Sequence, residues 1–185
     1  MDFNKLQPVD DEPGLWQLQM EFMAEAERFF GSRDQSKKIY QPSWDVDGPH
    51  VRYTPNKDGA FAELGFNAKT DWKMVVYQLA HETVHLLDQH GGKQTHLLEE
   101  GAAVRFSLDM MKKYGFDTTG LPEIDSYKTA LKLFDSLGND SYSIAKELRA
   151  KCDNFISIDA IAIKARCPDL SENIISEMTS RPVMR

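Results

Sequence analysis

Two histidines four residues apart, with a glutamate beside the first, are the residues of this chain whose spacing could do chemistry. They lie in the segment His81-Glu82-Thr83-Val84-His85. On an α-helix, residues i and i+4 share a face, so the rings of His81 and His85 can converge on one ion. Neutral imidazole is a good zinc ligand, at about 2.0–2.1 Å. The pattern therefore predicts a metal site on a helix.

Glu82 is placed for a different task, because it lies about 100° around the helix from His81 and about 60° from His85. It cannot easily join the same set of ligands, but it can reach a water molecule on the metal. A catalytic zinc ion keeps one open position for such a water. The spacing therefore predicts Glu82 as the general base, which takes the water's proton during attack on a carbonyl group.

The third ligand must come from another element, and Glu100 is the best candidate. The small residues 101–103 that follow it would let two helices approach closely enough for a carboxylate to reach the ion. Glu99 is the alternative ligand; otherwise it is a solvated carboxylate or a partner of a ligand. The sequence thus predicts one Zn²⁺ ion held by His81, His85 and Glu100, which would lower the pKa of its water towards about 7.

The groups that would assist this site are less well defined. Asp88 lies on the same stripe of the helix as the histidines, where it could accept the second N–H of a ligand ring or be an exposed charge. A tyrosine or another donor would steady the oxyanion, and five residues qualify: Tyr114, Tyr127, Tyr142, His96 and Arg105. The histidines outside the motif, His50, His90 and His96, are otherwise interpreted as surface or capping residues.

The elements that must position these residues follow from apolar periodicity and turn residues. A β-hairpin is predicted from His50 to Ala68, and the helix that carries the histidines is predicted from Trp72 to Gln89. Asp71 would cap that helix and Gly91-Gly92 would end it. The remaining predictions are helices over 11–31, 95–113, 123–137, 141–151, 156–165 and 171–180, and an irregular stretch over 35–48.

These elements predict an α+β fold that is mainly helical, in which a small N-terminal sheet packs on the active-site helix and a helical C-terminal subdomain follows. The length of 185 residues favours a single domain. We divide it into an N-terminal lobe over 1–92, with the sheet and the active-site helix, and a helical lobe over 93–185, with the third ligand.

Composition excludes several classes of partner. The net charge is −7 and no dense basic stripe is present, so nucleic acid and anionic membranes are poor partners. No segment approaches the roughly 20 apolar residues of a membrane span. Residues 1–7 lack a secretory signal, which favours the cytoplasm, although a trimmed form or another export route would look the same. Cys152 and Cys167 lack metal or redox spacing and are predicted to be reduced core residues. The oligomeric state is not indicated.

The pair of motifs His81-Glu82-x-x-His85 and Glu100-Gly101-x-Ala103 resembles the gluzincin metallopeptidases, whose third ligand is a glutamate on the next helix. The Glu-Gly-x-Ala form is similar to that of the alanyl-aminopeptidase-like enzymes and of plant basic secretory proteases. It departs from thermolysin, which would require an acid at Ala103 or Val104. The resemblance covers about residues 61–114 and implies a zincin-like fold.

The resemblance also implies a zinc-dependent peptidase that acts on a peptide or protein. In that family the strand before the active helix is a sheet edge that pairs with an extended substrate, which here would be Ala60–Ala68, with residues 64–66 nearest the site. Two alternatives remain open: a protease toxin or effector with one protein target, and a non-catalytic zinc-binding protein. The choice between endopeptidase and exopeptidase is not indicated, because no terminus-binding motif precedes the helix.

Overall fold

The computed structural model describes residues 3, 5–89 and 95–181. Within these ranges the chain is α+β and mainly helical, as predicted. The helices are α1 (Glu12–Phe30), α2 (Trp72–His85), α3 (Leu97–Lys113), α4 (Asp125–Asp135), α5 (Ser141–Cys152), α6 (Ala160–Arg166) and α7 (Glu172–Met178). The strands are β1 (Lys38–Ile39), β2 (Ser43–Asp45), β3 (His50–Tyr53) and β4 (Gly59–Gly65). Single 3₁₀ turns lie at Pro8–Asp10, Phe66–Ala68 and Phe155–Ser157.

The first helix, α1, forms where its capping residues predict it. The carboxylate of Asp11 accepts a hydrogen bond from the N–H of Gly14 at 2.9 Å, and this satisfies one free donor of the first turn. The helix ends at Gly31, whose φ of 91° is a conformation that glycine adopts without strain. Its apolar face, which includes Leu18 and Phe22, is fully buried in the core.

The sheet is built around β4. β3 pairs with it antiparallel, from His50 opposite Glu63 to Tyr53 opposite Ala60, which confirms the predicted hairpin. β1 and β2 pair with β4 in parallel, and β2 places Ser43 opposite Glu63. Glu63 therefore has a strand on each side. The implied role of Ala60–Ala68 as a free sheet edge is wrong, because β4 is the central strand.

β1 and β2 also correct the prediction of an irregular stretch over 35–48. They contain two and three residues, too few to display a period, and Pro42 separates them. Proline has no N–H to donate, so it interrupts the ladder and is tolerated at a sheet edge. Tyr40 continues the pairing on the near side of the interruption, since its N–H donates to the carbonyl of Ala60 at 3.0 Å.

The helix with the histidine motif, α2, starts as predicted and ends early. The carboxylate of Asp71 accepts from the N–H of Lys73 at 2.8 Å and caps it. The last helical residue is His85, so the prediction of an end at Gln89 is wrong. Gly91-Gly92 and His90 lie outside the described residues. Every residue from Val75 to Val84 is buried, because the helix has neighbours on several sides.

α3 follows α2 in the core and packs between it and α4. Gly101 makes the contact with α4 possible, because a Cβ atom there would lie 2.2 Å from the carbonyl oxygen of Ala130. We had expected the small residues after Glu100 to serve the approach of α3 to α2. Gly101 instead faces α4, while Ala102 and Ala103 are fully buried.

The C-terminal helices agree with the predictions within a few residues, with one exception. The segment predicted as one helix over 156–165 is a 3₁₀ turn followed by the shorter helix α6. Cys152 and Cys167 are free and half-buried, and they pack against the hydrophobic core, as predicted. Among the described residues, no helix combines the length and the apolar character that crossing a membrane requires.

Asp88 has neither of its predicted roles. It is buried at 5% exposure and receives two hydrogen bonds from Arg149, at 2.8 Å from Nε and 2.6 Å from Nη2. The N–H of Phe155 donates to the same carboxylate at 2.9 Å. Arg149 also donates to the carbonyl oxygens of Phe30 and Gly31, each at 3.1 Å. This ion pair therefore connects three parts of the chain: the segment just after α2, which contains Asp88; α5, which contains Arg149; and the end of α1.

Substitution Arg149→Met should destabilise the fold strongly, because it leaves the carboxylate of Asp88 buried without its cation. Removing one partner of a buried pair costs about 3–5 kcal/mol. The free energy of unfolding from urea denaturation measures the loss. Arg166→Met is the matched control, since Arg166 pairs with Glu147 at the surface, and we expect little change there. Equal stability of the two variants would contradict this role of the buried pair.

Candidate metal centre

The structure brings together the three residues predicted as metal ligands. His81 and His85 project from α2 one turn apart, and Glu100 projects from the first turn of α3. The Nε2 atoms of the two rings lie 3.2 Å apart. Oε2 of Glu100 lies 3.3 Å from Nε2 of His81 and 3.8 Å from Nε2 of His85. Three donor atoms from two helices therefore surround one point.

These separations fit a tetrahedral zinc site. Bonds of about 2.0–2.1 Å at tetrahedral angles place neighbouring ligand atoms roughly 3.3–3.4 Å apart. Two of the three separations are close to that value. Oε2 of Glu100, the oxygen directed at both rings, is buried and has no hydrogen bond of normal geometry among the described residues. An oxygen and two ring nitrogens that converge at these separations could hold a cation.

The neighbouring carboxylate, Glu99, serves one of the ligands. Its Oε1 lies 2.9 Å from Nδ1 of His85, and the residue is fully buried. A carboxylate on the outer nitrogen of a ligand histidine fixes the ring and leaves the other nitrogen for the metal. Of the roles that the sequence left open for Glu99, this buried contact fits the partner of a predicted ligand and not a solvated carboxylate. Glu100 itself is steadied by Thr95, whose hydroxyl donates to Oε1.

Burial makes the charges of this site interdependent. Burial tends to raise the pKa of Glu100, but the rings of His85 and His81 hold that pKa well below its usual value. Burial also opposes charge on His85, yet Glu100 and Glu99 together raise the pKa of that ring well above its usual value. A proton on His85 thus compensates for the buried acids. A divalent ion would replace that proton, since metal binding to imidazole releases protons.

Glu82 lies on the same helix and is 3% exposed. Burial raises the pKa of its carboxyl group, and the neighbouring His81 and His85 partly offset that effect. His50 at the start of β3 also acts to lower the pKa of Glu82. The sequence predicts His50 as a surface or capping histidine, and the structure places it half-buried at the start of β3.

Among the residues predicted to steady an oxyanion, Tyr127 is the one placed beside the ligands. Its ring centroid lies 5.0 Å from that of His81. The others have partners elsewhere: Tyr114 donates to Glu21, Tyr142 to Asp109 and Arg105 to Asp135, while His96 accepts from the N–H of Glu99 and caps α3.

Tyr77 is a site neighbour that the sequence reasoning did not propose. It lies on α2 one turn before His81, and its hydroxyl is buried without a hydrogen-bond partner among the described residues. Burial, together with the charges of Glu123 and Glu100, raises its pKa to about 12. The spacing of 77, 81 and 85 is a signal that could have identified it, because the three positions share one helix face.

A second group of possible ligands lies at the end of the sheet and consists of Asp45, His50 and Glu63. Nε2 of His50 is 2.9 Å from Oε2 of Glu63. Arg52 donates to both acids, with Nη2 at 2.7 Å from Asp45 and Nε in contact with Glu63. The guanidinium group already neutralises these acids, so a metal ion would have to displace it. The group therefore fits an ion-pair network better than a cation site.

Comparisons with known proteins identify no relative of this chain. No protein-family model matches the chain, and neither the curated proteins nor the solved structures include a significant match. The likeness to gluzincins and the zincin-like fold therefore stay predictions from the two motifs.

Zinc titration of variants would separate the two groups of possible ligands. We expect Glu100→Ala to lose far more than the 10–100-fold in zinc affinity that changing a ligand's partner typically costs. Glu99→Gln should lower the zinc affinity by about 10–100-fold, because Glu99 contacts a predicted ligand and is not one itself. Glu63→Ala should leave the affinity unchanged. Competition with a chromophoric chelator gives the zinc dissociation constants. A large loss of zinc affinity in Glu63→Ala alone would show that zinc binds to the group at the end of the sheet.

Proposed function

We propose that this protein is a zinc-dependent peptidase in which His81, His85 and Glu100 hold one Zn²⁺ ion and Glu82 is the general base. The observation that carries the proposal is the spacing of the three donor atoms, with 3.2 and 3.3 Å for the two shorter separations. A buried acid next to these donors, which is not one of them, completes the set that a metal-dependent hydrolase needs.

The chemistry of the ion is general. Bound zinc acts as a Lewis acid and lowers the pKa of a water molecule to about 7. The chain's own residues do the rest. Glu82 accepts the proton of the attacking water and then delivers it to the amine that leaves. Its raised pKa suits both steps, because a group that must take and return a proton works best with a pKa near the operating pH.

Peptide binding by strand addition requires an open sheet edge, and β3 offers one. Within the described part of the chain, β3 pairs with β4 alone. Its first residue, His50, contacts Glu63 of β4, with 2.9 Å between Nε2 and Oε2. We therefore assign the substrate's main chain to the outer edge of β3 and not to Ala60–Ala68.

Substitution Glu82→Gln should abolish peptide hydrolysis while zinc stays bound, because the amide cannot accept the proton and is not a ligand. General base catalysis contributes about 10²–10⁴-fold, which is the expected loss in kcat. Mass spectrometry of a diverse peptide library treated with zinc-loaded protein measures it, with zinc content determined in parallel. Glu147→Gln is the control, since Glu147 is an exposed glutamate of α5.

Full peptide turnover by Glu82→Gln would contradict the role of Glu82. If the wild-type protein binds zinc and cleaves no peptide or protein, it belongs to the alternative class of non-catalytic zinc proteins. If it cleaves a single protein in a mixture of intact cellular proteins and does not cleave generic peptides, it is an effector protease with one target.

A further inference from the structure

A small cleft opens next to the ligand His81. It has a volume of about 170 Å³, and its walls come from α2, from the turn before β3 and from the segment that leads into α4. Most of its lining is apolar or aromatic: Pro49, Met74, Tyr77, Leu121, Ile124 and Tyr127.

Two aromatic residues connect the cleft to the metal ligands. Tyr127 forms part of the wall and contacts His81, with 5.0 Å between the ring centroids. Tyr77 lies one turn before His81 on the same face of α2. Pro49, which also lines the cleft, directly precedes His50 at the start of β3. The strand whose edge we assign to the substrate therefore starts directly after a residue of the cleft wall.

The volume of the cleft identifies the size of its occupant. Sites for a whole small molecule measure about 300–1,000 Å³, whereas a cavity of about 150 Å³ with apolar walls takes up benzene. A cleft of about 170 Å³ thus suits one side chain of a bound peptide, up to the size of an aromatic ring. Two tyrosine rings in the wall favour edge-to-face contact with such a ring.

The hydroxyl of Tyr77 is a buried polar atom of this wall. The residue is only 8% exposed, and its hydroxyl has no partner within the described ranges. The adjacent amide is different, because Gln78 accepts from the N–H of Gly65 at 2.8 Å and donates to Asn67 at 2.9 Å. With a pKa of about 12, Tyr77 keeps its proton at neutral pH and remains a donor.

We infer that this cleft is the specificity pocket of the enzyme, and that it receives a large apolar side chain, preferably aromatic, from a residue next to the scissile bond. This inference rests on the proposed peptidase function, to which it adds the class of substrate.

The cleft can be filled without touching the ligands. Ile124 lies at its edge and is 57% exposed, so the variant Ile124→Trp should fold normally and occupy part of the volume. In cleavage of a peptide library with blocked termini, the wild type should select Phe, Tyr, Leu or Met at one position beside the cut. Ile124→Trp should lower kcat/KM for such peptides by roughly 10-fold or more relative to peptides with Ala or Gly there.

Two further variants make the result specific. Tyr77→Phe removes the buried hydroxyl and keeps the ring of the wall, so the preference for large apolar residues should remain. Ile161→Trp makes the same substitution as Ile124→Trp on α6, where Ile161 is 79% exposed and outside the cleft. Its selectivity should equal that of the wild type.

A binding experiment separates failure of the pocket from failure of the peptidase. Zinc-loaded Glu82→Gln protein is used to select peptides from the same library, with and without Ile124→Trp. If no peptide is cleaved but the selected peptides are rich in large apolar residues, and Ile124→Trp removes that enrichment, the pocket stands and the peptidase proposal fails. If neither cleavage nor selection favours large apolar residues, or Ile124→Trp changes nothing, the pocket is refuted.

Discussion

The compensation of buried negative charge is the constraint on which the rest of the candidate site depends. Glu82, Glu99 and Glu100 are each 8% exposed or less, and a carboxylate in such surroundings must have a charged or hydrogen-bonding partner. The rings of His81 and His85 are the groups that hold the pKa of Glu100 down against its burial. A divalent cation bound between these residues would offset the same buried charge, which is the basis of the proposed metal site.

The two helices that hold these groups can be understood from that requirement. α2 supplies both imidazoles one turn apart, and the first turn of α3 contains two consecutive acids that make different contacts. Glu99 holds the outer nitrogen of His85, and Glu100 turns one oxygen towards both rings. Consecutive residues on a helix are rotated by about 100°, so two adjacent acids can reach different sides of the same histidine.

Much of the fold could be predicted from the sequence, because local chemistry determines it. The caps Asp11 and Asp71 define where α1 and α2 begin, and the hairpin follows from alternation around a turn-rich segment. The remainder depends on contacts distant in sequence. The pairing of β1 and β2 with β4, and the tie between Asp88 and Arg149 across 61 residues, leave no local pattern. The same limit applies to the site, where spacing identified the cluster of His81, His85 and Glu100. It did not choose Tyr127 among five candidates, and it did not predict Tyr77 or the cleft.

Gly101 links the metal ligand to the wall of the cleft. It directly follows Glu100 and lies against the main chain of α4, where even a methyl group would collide with Ala130. Tyr127 stands on the same helix, one turn before that point of contact. Glu100 and Tyr127 therefore lie on two helices that pack backbone against backbone at this point. The position of one helix fixes the position of the other, so the same contact sets both the place of the Glu100 carboxylate and the place of the cleft wall.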